Sequence, residues 1–178
     1  MIKKNISQNT ARGFTLIELL LYVAIISVVI SSIMFVAISS ISQRVHNQAV
    51  TEVDYQGEAV ISQITQQLRN ATAVSTPGTG TTSSSLSFST LIAANNPTIY
   101  DIINDGSRNR LRIREGISAT TNYLTNNKVT VDSLSFNNVT ATGGKNSIKI
   151  QLTISAYNPS NRSELQFQKT YYGTATLR

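Results

Sequence analysis

One uninterrupted apolar run, FTLIELLLYVAIISVVISSIMFVAI at Phe14–Ile38, limits this chain more than any other stretch. It is 25 residues long and carries a single acidic or basic side chain, Glu18. Coiled as an α-helix it covers roughly 37 Å, more than the ~30 Å hydrocarbon core of a bilayer. Its other polar residues are mainly Ser and Thr, whose hydroxyls can bond to carbonyls of their own helix. The run reads as a transmembrane segment. Lys3, Lys4 and Arg12 precede it, and Arg44 is the only Lys or Arg shortly after it. By the positive-inside tendency the N-terminus is expected in the cytoplasm and the bulk of the chain outside.

The helix is not expected to stop at Ile38. Val45, Ala49, Val53, Gly57, Val60 with Ile61, Ile64, Leu68 and Ala71 recur in steps of three and four, with Gln, Glu, Asp and Arg elsewhere. No Pro occurs between Met1 and Thr76. The pattern predicts one helix from about Phe14 to Asn70, on the order of 85 Å long. Its first half is apolar all round. Its second half is amphipathic and needs a surface to cover.

From Ser75 the sequence STPGTGTTSSS predicts a flexible turn or loop, and beyond it the apolar period falls from 3.6 to 2. Leu86 and Phe88 alternate with Ser, Leu111 and Ile113 with arginines, and Val129 and Val131 with polar residues. Ile148, Ile150, Leu152, Ile154 and Ala156 give five matches in a row, with Leu165, Phe167 and Tyr171 expected on a partner strand across the Asn158–Asn161 turn. Strands with one apolar face imply an antiparallel sheet covered on one side, and the Val45–Ala71 stripe is the cover. The fold class is therefore α+β: a long N-terminal helix packed on a C-terminal antiparallel β-sheet domain. The expected division is 1–13, 14–71 and 72–178.

Composition narrows the function. Charged residues make up 13% of the chain and aromatics 7%, which suits a protein facing the outside of a cell. The net charge of +6 owes three of its fifteen basic residues to the first thirteen positions, and the remainder has twelve basic against nine acidic side chains. That balance is a poor argument for nucleic-acid binding. There are no cysteines, so disulfides, zinc–cysteine sites and thiol chemistry are excluded.

Glu18 is costly where it stands, because a carboxylate inside an apolar helix costs about 3 kcal/mol on insertion scales. It either snorkels to the cytoplasmic interface or waits for a cation supplied by another subunit. The residues before it favour the second reading. Arg12-Gly13-Phe14-Thr15-Leu16-Ile17-Glu18, behind a short basic leader, closely resembles the processing site of type IV prepilins and pseudopilins. The resemblance implies cleavage between Gly13 and Phe14 by a membrane prepilin peptidase, which also methylates the new amine of Phe14. It implies a pilin-like fold. It further implies assembly from the cytoplasmic membrane, by an inner-membrane machine and with other pilin or pseudopilin subunits, into an extracytoplasmic filament. There the freed amine of one subunit pairs with Glu18 of another and sets the axial register. The Asp54–Ala71 stretch resembles the helix end of minor pilins and of a minor pseudopilin of type II secretion. An ordinary signal peptide would have an apolar core of about 7–15 residues and a small-x-small cleavage site; here the core is longer, and loose site candidates lie only around Ala37–Ser40. The rival function is a signal-anchored adhesin or binding module that never polymerises.

Arg108, Arg110, Arg112 and Arg114 stand at every second position, on one face of a strand and opposite Leu111 and Ile113. That face is a solvated sheet surface, a salt-bridging contact with the next subunit, or a nucleic-acid contact; four arginines in a row call for an acidic partner or phosphate. Asp101–Gly106 lacks the ligand alternation of a calcium loop and is expected to form a turn. The sole histidine, His46, has no partner for catalysis, and no phosphate-binding or dinucleotide glycine motif occurs. No catalytic residue, metal or cofactor is expected, and the chain reads as a structural subunit rather than an enzyme.

Overall fold

The structure is a computed structural model that describes residues 13–116 and 122–178. A single helix, α1, runs Leu16–Arg69, the 54 residues over which no proline removes a backbone donor. The chain divides into two units, Met1–Ser42 and Gln43–Arg178, and α1 contributes to both.

In the first unit α1 packs against no other element among the described residues. Its large apolar side chains from Phe14 to Ile41 are all exposed, from 47% at Tyr22 to 78% at Leu16. Three serines in this stretch turn their hydroxyls back onto the carbonyl four residues earlier: Ser27 to Val23 at 2.7 Å, Ser31 to Ser27 at 2.8 Å and Ser32 to Val28 at 3.0 Å. Polar groups satisfied inside their own helix are what a hydrocarbon surrounding demands.

The second unit holds the rest of α1 and, among the described residues, nine strands. These are β1 (Ala71–Thr76), β2 (Thr82–Ser83), β3 (Leu86–Thr90), β4 (Thr98–Asn104), β5 (Asn109–Glu115), β6 (Asn122–Tyr123), β7 (Val129–Asn138), β8 (Ser147–Ala156) and β9 (Gln168–Thr176). They form not one sheet, as the periodicity predicts, but two antiparallel ones, ordered β1-β3-β4-β5-β6 and β2-β7-β8-β9. The sheets meet where Thr130 Oγ1 of β7 accepts from the Asn109 amide of β5 at 3.3 Å and donates to its carbonyl at 3.4 Å. A register shift between Val131 and Ser133 carries the buried positions of β7 from Val129 and Val131 to Leu134, Phe136 and Asn138.

The core is one cluster. Ala49, Val53, Gly57, Val60, Ile64 and Leu68 are the buried positions of α1, the stripe the sequence marks out. They face Leu86, Phe88, Tyr100, Leu111, Phe136 and the inward residues of β8. At ~1.5–3 kcal/mol for each fully buried large aliphatic or aromatic side chain, this burial outweighs the helix's own propensity. Two tyrosines tie the helix to the sheets. Tyr100 donates to Gln67 Oε1 at 2.6 Å, and Tyr171 donates to the Val53 carbonyl at 3.1 Å and to Asp54 at 2.7 Å. A Cβ at Gly57 would lie 2.2 Å from Tyr171 Cε2, so only glycine lets the Tyr171 ring approach α1 this closely.

Three local expectations are corrected. Ser75 and Thr76 belong to β1, which follows α1 directly, and the loop begins at Pro77. Asp101–Asn104 is the end of β4 rather than a turn; the reversal is at Asp105–Arg108, where the Asp105 amide donates to the Arg108 carbonyl at 3.0 Å. Leu165 sits in a short 3-10 turn, Ser163–Leu165, and Phe167 precedes the strand, so β8's partner starts at Gln168 and contains Tyr171 but neither of those two.

Candidate functional site: the N-terminal segment and the arginine face

Thr15 caps α1. The Glu18 amide donates to Thr15 Oγ1 at 3.3 Å and to the Thr15 carbonyl at 3.1 Å, which makes Thr15 a side-chain N-cap within the T-x-x-E sequence Thr15-Leu16-Ile17-Glu18. The sequence reading passed over Thr15, although the spacing of Thr and Glu just before an apolar run carries the signal. Glu18 thus stands in the first turn, where the helix dipole favours a negative charge. Tyr22, one turn on, donates to Glu18 Oε1 at 3.5 Å, and its ring meets Phe14 edge-on with centroids 6.0 Å apart. Phe14, Glu18 and Tyr22 therefore form one exposed cluster at the start of α1, next to Gly13, where an added Cβ would meet nothing among the described residues. The basic leader residues Lys3, Lys4 and Arg12 lie outside the described residues.

The family model described as the prokaryotic N-terminal methylation motif matches residues 8–34. The chain carries a type IV prepilin-like N-terminus. The match takes in Gly13, Phe14 and Glu18 and most of the apolar run, and it marks a structural subunit rather than an enzyme. It implies a prepilin peptidase and other pilin subunits as partners in general, and it suits membrane anchoring through α1. With the helix packed on antiparallel sheets, the architecture is α+β and pilin-like. No curated protein and no solved structure matches the chain.

The arginine face is built on β4 and β5. Leu111 and Ile113 are buried, and the alternate side chains meet acids. Arg112 grips Asp101 with two hydrogen bonds, Nε at 2.8 Å and Nη2 at 2.7 Å, and Arg114 adds a third at 2.8 Å. Burial pushes the Asp101 carboxyl up, but the Arg112 hydrogen bond and the charges of Arg112 and Arg114 outweigh it and hold the group below its usual range. Asp105 faces Arg108 at 3.5 Å and Arg110 at 3.8 Å. Arg110 also donates to the Thr125 carbonyl at 2.7 Å and stacks 3.9 Å over Tyr123. Arg108 bonds to the Asn127 carbonyl and stacks 4.2 Å over Tyr157. All four guanidiniums are engaged within the chain, the most open of them at Arg114, where the side chain is 34% exposed. His46 has its Nδ1 3.1 Å from the Glu164 carbonyl and its ring edge-on to Phe167. Among the described residues no group of three His, Cys, Asp or Glu is placed to hold a metal.

Proposed function

We propose that this protein is a subunit of a type IV pilus-like or pseudopilus filament. It enters the cytoplasmic membrane as a prepilin with its N-terminus inside, is cut after Gly13, is N-methylated at Phe14, and polymerises through the apolar half of α1. The observation that carries this reading is a methylation motif set directly on a helix start whose every large apolar side chain is uncovered. Cleavage before the run leaves the helix on the mature protein and removes the leader charges that oppose its extraction from lipid. In a filament, contacts with lipid give way to contacts with neighbouring helices, so packing and polar pairing supply the specificity. The new amine of one subunit pairs with Glu18 of another, and Tyr22 orients that carboxylate beforehand. We infer a minor subunit, because Asp54–Ala71 resembles the helix end of minor pilins.

Filaments sheared from the native host test the assignment. The chain is expected in the sedimenting filament fraction as a scarce band. A dominant band at its mass contradicts the minor role. Retention in membranes under conditions that yield filaments contradicts the filament role, and favours an anchored adhesin.

A further inference from the structure

Sheets end in open edges, and among the described residues three of the four here are blunted. β2 and β6 are two residues each, and β1 has register shifts between Ala71 and Ala73 and between Val74 and Thr76. β9 is the exception. It is nine residues long, contains no proline, and pairs with β8 from Ser147–Thr176 to Ser155–Gln168 without a shift. Edges of that length and regularity are ones that soluble proteins usually protect.

The ladder fixes which groups are left over. At its two ends the Ala156 amide donates to the Phe167 carbonyl and the Leu177 amide to the Asn146 carbonyl, each at 2.9 Å. Hydrogen-bonded pairs alternate in an antiparallel ladder, so Lys169, Tyr171, Gly173 and Ala175 bond to β8. Thr170, Tyr172, Thr174 and Thr176 then point their N–H and C=O away from it. Among the described residues none of these outward groups takes another backbone partner.

Beside this edge runs a groove of about 680 Å³ between β9 and the outer side of α1. Ile61, Thr65 and Arg69 line it from the helix, and Tyr172, Gly173 and Arg178 from the strand side. The Thr65 hydroxyl is buried there without a hydrogen-bond partner. Arg69 and Arg178 take part in none of the ion pairs among the described residues. Among the side chains that line the groove, Arg69 and Arg178 stand against one acid, Glu58.

We propose that β9 and this groove receive an extended segment of a different subunit, which adds a fifth strand to the sheet and places a carboxylate near Arg69 and Arg178. A row of alternating outward N–H and C=O groups is complementary to extended backbone and to little else. A second copy of β9 would bring Lys169 and no acidic side chain, so it offers Arg69 and Arg178 no carboxylate. The identity of the partner as a filament subunit rests on the function proposed above; the strand addition does not.

Amide hydrogen exchange resolved to single residues tests it, on the full-length chain in native-host membranes and filaments and on the same chain extracted alone in detergent. In the assembly the N–H groups of Thr170, Tyr172 and Thr174 are expected to exchange at least ~10-fold more slowly than in the extracted chain. Those of Tyr171 and Gly173 stay protected in both. Thr174→Pro removes an outward donor without touching the β8 ladder, and abolishes the protection at Thr170 and Tyr172; Thr174→Val keeps it. Equal exchange of the outward amides in both samples overturns the proposal, and does so whether or not the chain sediments with filaments. Protection already present in the extracted chain, together with the mass of a dimer, overturns the choice of a different subunit.

Discussion

Glu18 combines two roles that a single substitution can separate. As the last residue of the T-x-x-E sequence it lends its backbone amide to Thr15, and any residue but proline can do that. Among the described residues its carboxylate is met by Tyr22 and the helix dipole. Glu18→Ala is expected to leave membrane insertion and cleavage intact and to reduce incorporation into filaments several-fold, read by comparing membrane and filament fractions. Incorporation at the normal level removes the case for an amine–carboxylate pair. At the arginine face the charges are paired within the chain. Asp101→Asn leaves Arg112 and Arg114 partly buried beside a neutral amide and is expected to cost on the order of 3 kcal/mol in urea unfolding. The wild-type pair has a matching pH dependence. The Asp101 carboxyl is held below its unfolded value, so its contribution is complete above the ordinary carboxylate range and fades as the pH falls through the depressed folded value. Stability of Asp101→Asn should fall less steeply than wild type over that acid window; parallel curves would assign the dependence to other carboxylates. The alternation of four arginines is plain in the sequence, but Asp101 is not, because Asn96-Pro97 and Asp105-Gly106 make its neighbourhood look like a turn.

The elements divide by how much of their signal is local. The helix is legible almost to the residue because apolar steps of three and four, a missing proline and a change of period all agree. β8 is equally clear, with five alternating matches and a matching burial pattern. β4 hides, since its inward positions are Thr98, Tyr100 and Ile102, and the first of these is polar yet only 1% exposed. The second half of β7 hides for another reason: its bulge steps the buried positions from Val131 to Leu134 and breaks the alternation. Gly57 is the tightest point between helix and sheet, and it lies in the helical stripe as if it were only a small residue. Gly57→Val forces a side chain into the Tyr171 ring, and overpacking of this kind typically costs ~1–3 kcal/mol. The change should lower the thermal midpoint of the full chain in detergent. Tyr171→Ala in the same background should recover part of that loss, whereas additive losses would show that the ring is not the obstacle.

For the molecule as a whole, the sequence separates an apolar helix that finds no cover within its own unit from a domain that covers the helix's second half. What periodicity could not supply is the number of sheets, because strand partners are chosen by long-range packing that alternation does not encode. The two halves pose one requirement between them: a helix uncovered at Phe14–Ile41 has to sit in lipid or against other subunits. A processed prepilin meets it both ways in turn, and the leader decides between that history and a permanent anchor. The most direct measurement is mass spectrometry of the N-terminal peptide of this protein from the native host's membrane fraction. A peptide that begins at Phe14 and carries one added methyl group is the predicted result. A peptide that still begins at Met1 contradicts it and makes the chain a simple anchor, and one that begins near Ser39 contradicts it by showing a secreted domain without its helix.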